Sequence, residues 1–497
     1  MKRKEISTTE NTERTEVDAV ASGRSVANTE DLPDGFQMTE LGPLPEDWRV
    51  VRLGELVEKH LLLIRGGFPQ GQHNEVGNGV PHLRPFNITN DGSLDLSQIK
   101  YIAPPSEDDP HWLLPNDVIF NNTNSEELVG KTALFDRNGR FVLSNHMTLL
   151  RILEQNQVDA SWLSRQLHYF WYLGLYKSLC RRHVNQASIS LERLKGISIP
   201  LPPLPEQRAI AHVLRTVQWA KEATEGVIAA LRELKKSLMQ HLFTYGPVAM
   251  TEREHVALQE SEIGPLPAHW RVVRLGEVAA ILMGQSPPSE SYNSQGIGLP
   301  FLQGKAEFGE VYPTPIKWCS RPLRISPPGA ILLSVRAPVG DVNLAPFQCC
   351  IGRGLAAICA NEKVDTVFLF HWLRLAKPKL EEHGTGTTFQ SINRNVLENF
   401  PIPLPPLDEQ HEIAHTLQAV DARIAAEQAR RAALEELFKT LLQQLMTGQI
   451  RITDNGRGEK FFAPTGYPGD QNKRHPKDVQ NTVSITTPTV PSPKPEG

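Results

Sequence analysis

The stretch GPLPEDWRVVRLGE beginning at Gly42 returns as GPLPAHWRVVRLGE beginning at Gly264, with twelve of fourteen positions identical. A second pair follows: IPLPPLPEQ from Ile199 and IPLPPLDEQ from Ile402, identical at eight of nine. An internal repeat constrains the fold more than any local pattern, because each copy must build the same unit. Between these shared segments the two copies differ almost everywhere. At 497 residues the chain is long enough for more than one core, and it reads as two copies of one plan.

Each variable stretch carries short β-branched runs between Gly and Pro turns. They are Asp117–Phe120, Thr132–Phe135 and Met147–Ile152 in the first copy, Ala330–Val335 and Leu355–Ala360 in the second. Runs of this length bounded by turns are strands. Asp159 and Asp365 then stand where an N-cap would start one helix in each copy. After the proline segment comes a long stretch without proline, predicting a helix over 206–246 and another over 408–448. Pro205 suits the first turn of one, and Asp408 caps the other.

Apolar residues in these helices step by three and four, at Leu214, Val217, Leu231 and Leu238 and at Leu417, Val420, Leu434 and Leu441. Polar residues interrupt the seam at Lys221, Thr224, Glu427 and Arg431. A narrow seam of this kind predicts a coiled coil, and each helix is the obvious partner of the other. The expected fold is α+β, with two mixed α/β lobes separated by two long helices pairing as an antiparallel coiled coil, in a pseudo-twofold repeat. The lobes are expected over 39–205 and 262–407, with a linker at 247–261. Residues 1–38 and 449–497 hold too few large apolar side chains to order themselves and are expected to be flexible tails. Met38, just ahead of the first repeated segment, offers a second start position.

Composition narrows the function. A net charge of −4 excludes a generally basic coat, so any nucleic-acid contact must come from local patches. The N-terminus lacks the apolar core of a secretory signal, and no apolar run is long enough to span a membrane. The five cysteines form no CxxC pair, which suits idle thiols in a reducing cytoplasm. Gly352–Ala357 has the form G-x-G-x-x-A, but the helix that a dinucleotide fingerprint needs does not follow it. There is no P-loop. Ser326–Gly329 starts like an amino-methyltransferase motif without its stacking aromatic. His212 and His415 take matching places on the two helices, and packing accounts for them better than a metal.

Loops rich in Asn, Arg, Thr and Gln remain. Asn121, Asn122, Thr123 and Asn124 precede Lys131 in the first copy, and Arg336 and Arg353 lie in the second. Arg181 and Arg182 just before one closing segment match Thr387 and Gln390 before the other. Asn, Gln and Arg form bidentate hydrogen bonds with base edges, while Thr and Lys suit phosphates.

With GPLPxxW opening each copy, PLPPLxEQ closing it into a long helix, and FNNTNSEELVGKTALF and LLSVRAPVG inside the lobes, the chain resembles the specificity subunits of type I restriction–modification systems. The resemblance covers about residues 40–450. It implies two target recognition domains reading the halves of an asymmetric, interrupted double-stranded DNA site. It places the reading loops at Asn121–Ser125 and Ser334–Arg336. It also implies helices that act as spacer and as docking surface for two methyltransferase subunits using S-adenosylmethionine, with two restriction subunits using ATP and Mg. This chain itself would perform no bond chemistry and hold no metal. The competing expectation is a coiled-coil adaptor whose lobes bind protein, which the weakly acidic body favours.

Overall fold

The computed structural model describes residues 32–69, 71–184, 186–383, 391–454 and 460–464, with backbone alone from 453 onward. They form two compact units. One runs to Leu214 and resumes at Thr440, and the other is Arg215–Lys439. The long helices, Leu204–Tyr245 and Leu407–Met446, each pass from one unit into the other, and at 1.5 Å per residue each is about 60 Å long.

In the first unit, an antiparallel sheet runs in the order Leu62–Gly66, Met147–Ile152, Asp117–Asn121, Thr132–Phe135. The helix Ala160–Tyr172 packs on it through Trp162, Leu163 and Leu167. Asp159 caps that helix by accepting the Trp162 amide at 2.9 Å. A smaller mixed sheet has Val80–Leu83 parallel to Val142–Leu143 and antiparallel to Lys100–Ile102.

The second unit repeats the plan. Its antiparallel sheet runs Ala279–Met283, Leu355–Ala360, Ile331–Ser334, Val342–Leu344. The helix Thr366–Leu375 is capped by Asp365, which accepts the Val367 and Phe368 amides. Leu299–Leu302 lies parallel to Cys349–Ile351 and antiparallel to Lys317–Cys319. Trp270, Phe243, Phe368 and Trp372 join one apolar core that also takes Leu242, Ile413 and Leu417 from the long helices.

The repeated segments turn out to bind each other. Arg49–Arg52 pairs antiparallel with Ser198–Leu201, and Arg271–Arg274 with Pro401–Leu404. The Trp48 indole donates to Glu206 at 2.9 Å, and Trp270 donates to Glu409 at 2.8 Å. Gln207 accepts the Asp159 amide at 2.8 Å and donates to Pro202 O at 2.8 Å. Gln410 does the same with Asp365 at 2.7 Å and Pro405 at 2.8 Å. Each residue of the Glu-Gln pair thus closes a contact far away in sequence, which explains why the pair recurs.

Three expectations are corrected. The plan begins before the repeated segment: Phe36–Thr39 pairs with Gly42–Pro45, as Leu258–Gln259 pairs with Leu266–Pro267. Gln37 there donates to Trp48 O at 3.0 Å and Gln259 to Trp270 O at 2.6 Å, so the end of the expected N-terminal tail and of the linker is built structure. At the other end, Ile450–Asp454 pairs with Lys460–Pro464, and Arg451 binds Glu206 at 2.6 Å and Asp47 at 2.7 Å. The rest of both expected tails, 1–31, 455–459 and 465–497, lies outside the described residues.

The third correction concerns the helix seam. Leu214 and Leu417 are fully buried, but Val217, Leu231, Leu238, Val420, Leu434 and Leu441 are only half-buried. Several of the buried positions between them are polar, Gln218, Lys221, Thr224, Lys235 and Glu427, alongside the apolar Ile228, Met239, Ile424 and Phe438. Partners on the same and on the facing helix offset part of the cost of that burial. Thr224 donates to Ala220 O at 2.8 Å, Lys235 pairs with Asp421, and Glu427 accepts Arg423 at 2.6 Å. Among the described residues, no helix is long and apolar enough to cross a membrane.

Buried histidines give a pH test. Burial is the largest cause that lowers His168 to about 3, His82 to about 4 and His371 to about 2. These rings stay neutral in the fold and take up protons near pH 6.5 once unfolded, so stability is fully present above that pH and is lost as pH falls below it. Urea midpoints should therefore drop between pH 6.5 and 4. His371→Gln should flatten the drop by about one proton, or about 1.4 kcal/mol per pH unit. An unchanged slope in this variant would show that His371 does not contribute.

Candidate nucleic-acid interface

In both units a strand leaves the antiparallel sheet, turns through a loop, and is held by the same backbone bonds. Asn121 N donates to Lys131 O at 2.9 Å and Gly130 N to Asn121 O at 2.8 Å. Ser334 N donates to Asp341 O at 2.8 Å and Gly340 N to Ser334 O at 2.9 Å. One residue on, Ile189 N reaches Asn122 O and Ile392 N reaches Val335 O, both at 2.9 Å. Thr123 then pairs with Ser188, and Arg336 bridges to Ser391. Thr123 and Arg336 therefore occupy equivalent places on one frame, with different side chains. Gly130 closes its loop at a left-handed φ of 93°, where a Cβ would meet the Tyr176 ring at 2.0 Å, so no other residue fits there.

This frame removes some expected readers. Asn121 is fully buried and its Nδ2 donates to Leu128 O at 2.8 Å, bracing the loop from inside. Ser334 does the same job through Pro338 O at 2.7 Å. Neither side chain has a path to a base. Lys131 is buried as well, donating to Ile88 O at 3.3 Å beneath the Trp171 ring, and desolvation lowers its pKa. It is a core lysine and not a phosphate contact. Thr387 and Gln390 lie outside the described residues.

Other candidates are brought together. In the first unit Arg181–Arg182, Ala187–Ser188 and Thr123–Asn124 form one small antiparallel sheet, whose register lines exposed Arg181 with Ser188 and Thr123 in one row and exposed Arg182 with Ala187 and Asn124 in the next, on the opposite face. Arg182 is held by Glu126 at 2.6 Å. Asn122 is half-buried beside them and its Oδ1 has no hydrogen-bond partner. In the second unit, Val335 N donates to Gly354 O at 2.9 Å, one step past the register Ser334↔Leu355, and the next residue on each segment, Arg336 and Arg353, is exposed.

The glycines around Arg353 have a structural reason. A Cβ on Gly354 would meet Gln303 O at 2.4 Å, so the G-x-G form reflects close strand approach and not a nucleotide loop. The same register in the first unit, Asn121↔Met147, puts His146 and Asn145 opposite Asn122 and Thr123. His146 O accepts both the Asn122 and Thr123 amides, at 3.1 and 3.2 Å. Asn145 is exposed. Sequence reasoning missed this pair, because only the strand register equates Asn145 with Arg353.

Among the described residues no His, Cys, Asp and Glu side chains group to hold a metal. All five cysteines are free, and burial pushes Cys349 up to about 12.

Comparison with known proteins bears on the family of the chain. The family model for the type I restriction modification DNA specificity domain matches residues 45–233 and again 267–436. The chain is 41% identical to a protein of Methanocaldococcus jannaschii named "Putative type I restriction enzyme MjaX specificity subunit", over 84% of this chain and 97% of that protein. It is 26% identical to the type I restriction enzyme MjaVIII specificity subunit of the same organism, over 82% and 94%. In fold it is similar to the type I restriction–modification S subunit from M. genitalium, with a TM-score of 0.55 and 15% identity over 85% of this chain and 98% of that one.

These placements separate support from contact. Asn121→Ala should cost about 1–3 kcal/mol in thermal stability, as expected for a lost buried hydrogen bond, and leave DNA sequence preference unchanged. Lys131→Met should leave the salt dependence of DNA binding as it was, while Arg182→Ala should reduce its slope by about one. A slope that changes with Lys131 and not with Arg182 would reverse the assignment.

Proposed function

The chain belongs to the type I restriction–modification DNA specificity family, and from that premise we propose that it is the subunit that finds an asymmetric, two-part DNA target. The observation that carries this reading is the doubled frame bearing unlike side chains, with Thr123 on one copy and Arg336 on the other. Identical frames position a reader, and different side chains give each copy its own half-site. DNA affinity comes from phosphate contacts and sequence preference from base contacts. Arg336 and Arg353 suit guanine edges, and Asn124 suits an adenine edge.

The recognition domains would comprise 39–205 and 262–407, with 206–246 and 408–448 as the spacer. The spacer helices pair as an antiparallel coiled coil. In support, Lys235 meets Asp421 and Glu225 meets Arg431 at 2.8 Å, so ten residues back on one helix is ten residues forward on the other. The seam residues Leu214 and Leu417 are spent inside the molecule and are not free to dock a partner. The exposed stripe of Trp219, Val227 and Leu234, spaced to share one helix face, is the better candidate. Arg215 stacks over the Trp219 ring at 4.6 Å.

Within the complex this chain supplies the address and other subunits the chemistry. Modification and restriction subunits act with it on DNA. Two copies of each are proposed, the first using S-adenosylmethionine to methylate an adenine flipped from each half-site, the second using ATP and Mg to cut unmodified DNA in the cytoplasm. The specificity chain itself breaks and makes no bonds. Membership of a DNA specificity family leaves the adaptor reading without support.

Arg336→Ala is the direct test. Competition binding with the purified complex should show a loss of about 1–3 kcal/mol at one base pair of one half-site, with the other half unaffected. Equal loss on every duplex, specific or scrambled, would show that Arg336 touches only the backbone.

A further inference from the structure

In the second unit the lobe meets the long helices at two places. One is the apolar core at the Glu409 end, where Trp270 and Phe368 take in Leu242, Ile413 and Leu417. The other lies up to nineteen residues, or about 28 Å, farther along Leu407–Met446, and it is made of charged and polar groups. Glu310, on a loop of the lobe, accepts Arg232 of one helix at 2.8 Å and Gln428 of the other at 3.4 Å. Between the two places, Asp421 is paired with Lys235 and lies 3.6 Å from His371 of the lobe. Desolvation raises the pKa of Glu310, but the Arg232 hydrogen bond and the charges of Arg232 and Arg374 outweigh it. The carboxyl is therefore held below its ordinary value.

The loop that carries Glu310 also braces the Arg336 loop. Buried Asn343 accepts the Gly309 amide and donates to Gly309 O, both at 3.0 Å. Two residues back along the same segment, Asp341 closes the Arg336 loop. Its carbonyl accepts the Ser334 amide at 2.8 Å, and its own amide donates to Ser334 Oγ at 3.1 Å. Arg374, from the lobe helix, donates to Glu310 O at 3.1 Å. The backbone of Glu310 is thus tied to the frame of Arg336, and its side chain to both long helices. A cavity of about 270 Å³ lies among Glu310, Asn343, Asp341 and Arg374, so polar bonds and not close packing hold this side.

The other copy manages without these charges. His168 stands nine residues after its capping Asp, as Arg374 does, and holds Asn90 O at 3.0 Å, so a neutral Asn90 takes the place of Glu310. Counted from Glu206 and Glu409, Gln218 stands where Asp421 does and Phe438 where Lys235 does. The charged seat belongs to one copy only, as Arg336 does.

We propose that Glu310 is a positioning residue: by bridging the Arg336 frame to Arg232 and Gln428, it fixes the tilt of the second lobe on the helices and so the interval at which the second half-site is accepted. This rests on the DNA-specificity reading and adds to it a residue that sets the interval between half-sites. One base pair more or less moves a half-site by about 3.4 Å and turns it by about 34°. A lobe held at one tilt accepts one interval, and a lobe free to pivot accepts several.

The test uses the full chain assembled with its methyltransferase subunits and a two-part target selected from a random library. Competition binding compares that target with duplexes whose interval is one base pair shorter or longer. The unmodified complex should prefer its own interval. Glu310→Ala should lower that preference about tenfold, the size of one hydrogen bond to a charged group, and leave the base preference within each half-site unchanged. Arg232→Ala should also lower it, and the two together no more than Glu310→Ala alone, because both remove the same bond. Both side chains are partly exposed, and melting temperatures check that the variants fold. A merely structural loss would weaken binding at every interval by one factor. That result, an unchanged preference in Glu310→Ala, losses that add in the double variant, or equal binding of all three intervals by the unmodified complex overturns the proposal. If selection recovers no two-part sequence at all, the failure is that of the DNA reading itself.

Discussion

Glu206 sits in the first turn of the first long helix, almost wholly shielded from water, where its carboxylate accepts the Trp48 indole at 2.9 Å and the Arg451 guanidinium at 2.6 and 2.7 Å. A buried carboxylate is costly unless it is paired and hydrogen-bonded, and here it has both, with the positive end of a helix beneath it. The residues that meet there come from the opening, the middle and the far end of the chain. In the second unit Glu409 plays the part with Trp270 at 2.8 Å and His269 at 2.7 Å. Each lobe is thereby fixed to the helix that leaves it. Changing either end of such a contact strands a polar group in the core, so tryptophan and glutamate recur together.

Above that anchor the molecule tolerates variation. The loop that Asn121 braces runs to Gly130, while the one that Ser334 braces is shorter and reaches Gly340. Side chains on the equivalent strand ends have nothing in common chemically: Thr123 and Asn145 in one unit, Arg336 and Arg353 in the other. A scaffold that holds backbone positions through its own amides and carbonyls leaves the side chains free to specify. That separation lets one fold carry two different addresses.

Much of the fold was legible in the sequence. The strands Thr132–Phe135, Met147–Ile152 and Leu355–Ala360 and the caps Asp159 and Asp365 are local patterns, and local patterns survive without tertiary information. The seam was legible only in outline. Reading apolar letters selected Val217 and Leu238, one position away from the buried Gln218 and Met239, because polar groups share part of the interior with apolar ones. Gln37 and Gln259 were visible as a repeated Q-x-[TS]-E-[LI] ahead of the proline turn, but without the strand they belong to they looked like tail and linker. For the candidate site, residue type suggested Asn121 and Lys131, and burial removed both. Exposure and register assembled the rest, and neither can be read from a loop whose length differs between copies.

The central claim is that this chain supplies the address for a methyltransferase. It is tested most directly by mapping adenine methylation across a genome with long-read sequencing, in cells that express the methyltransferase subunit with this chain and in cells that express it alone. The account predicts a split, asymmetric motif that appears only when the chain is present. The same methylation pattern in both, or none in either from a methyltransferase shown to be active with another specificity chain, would contradict it.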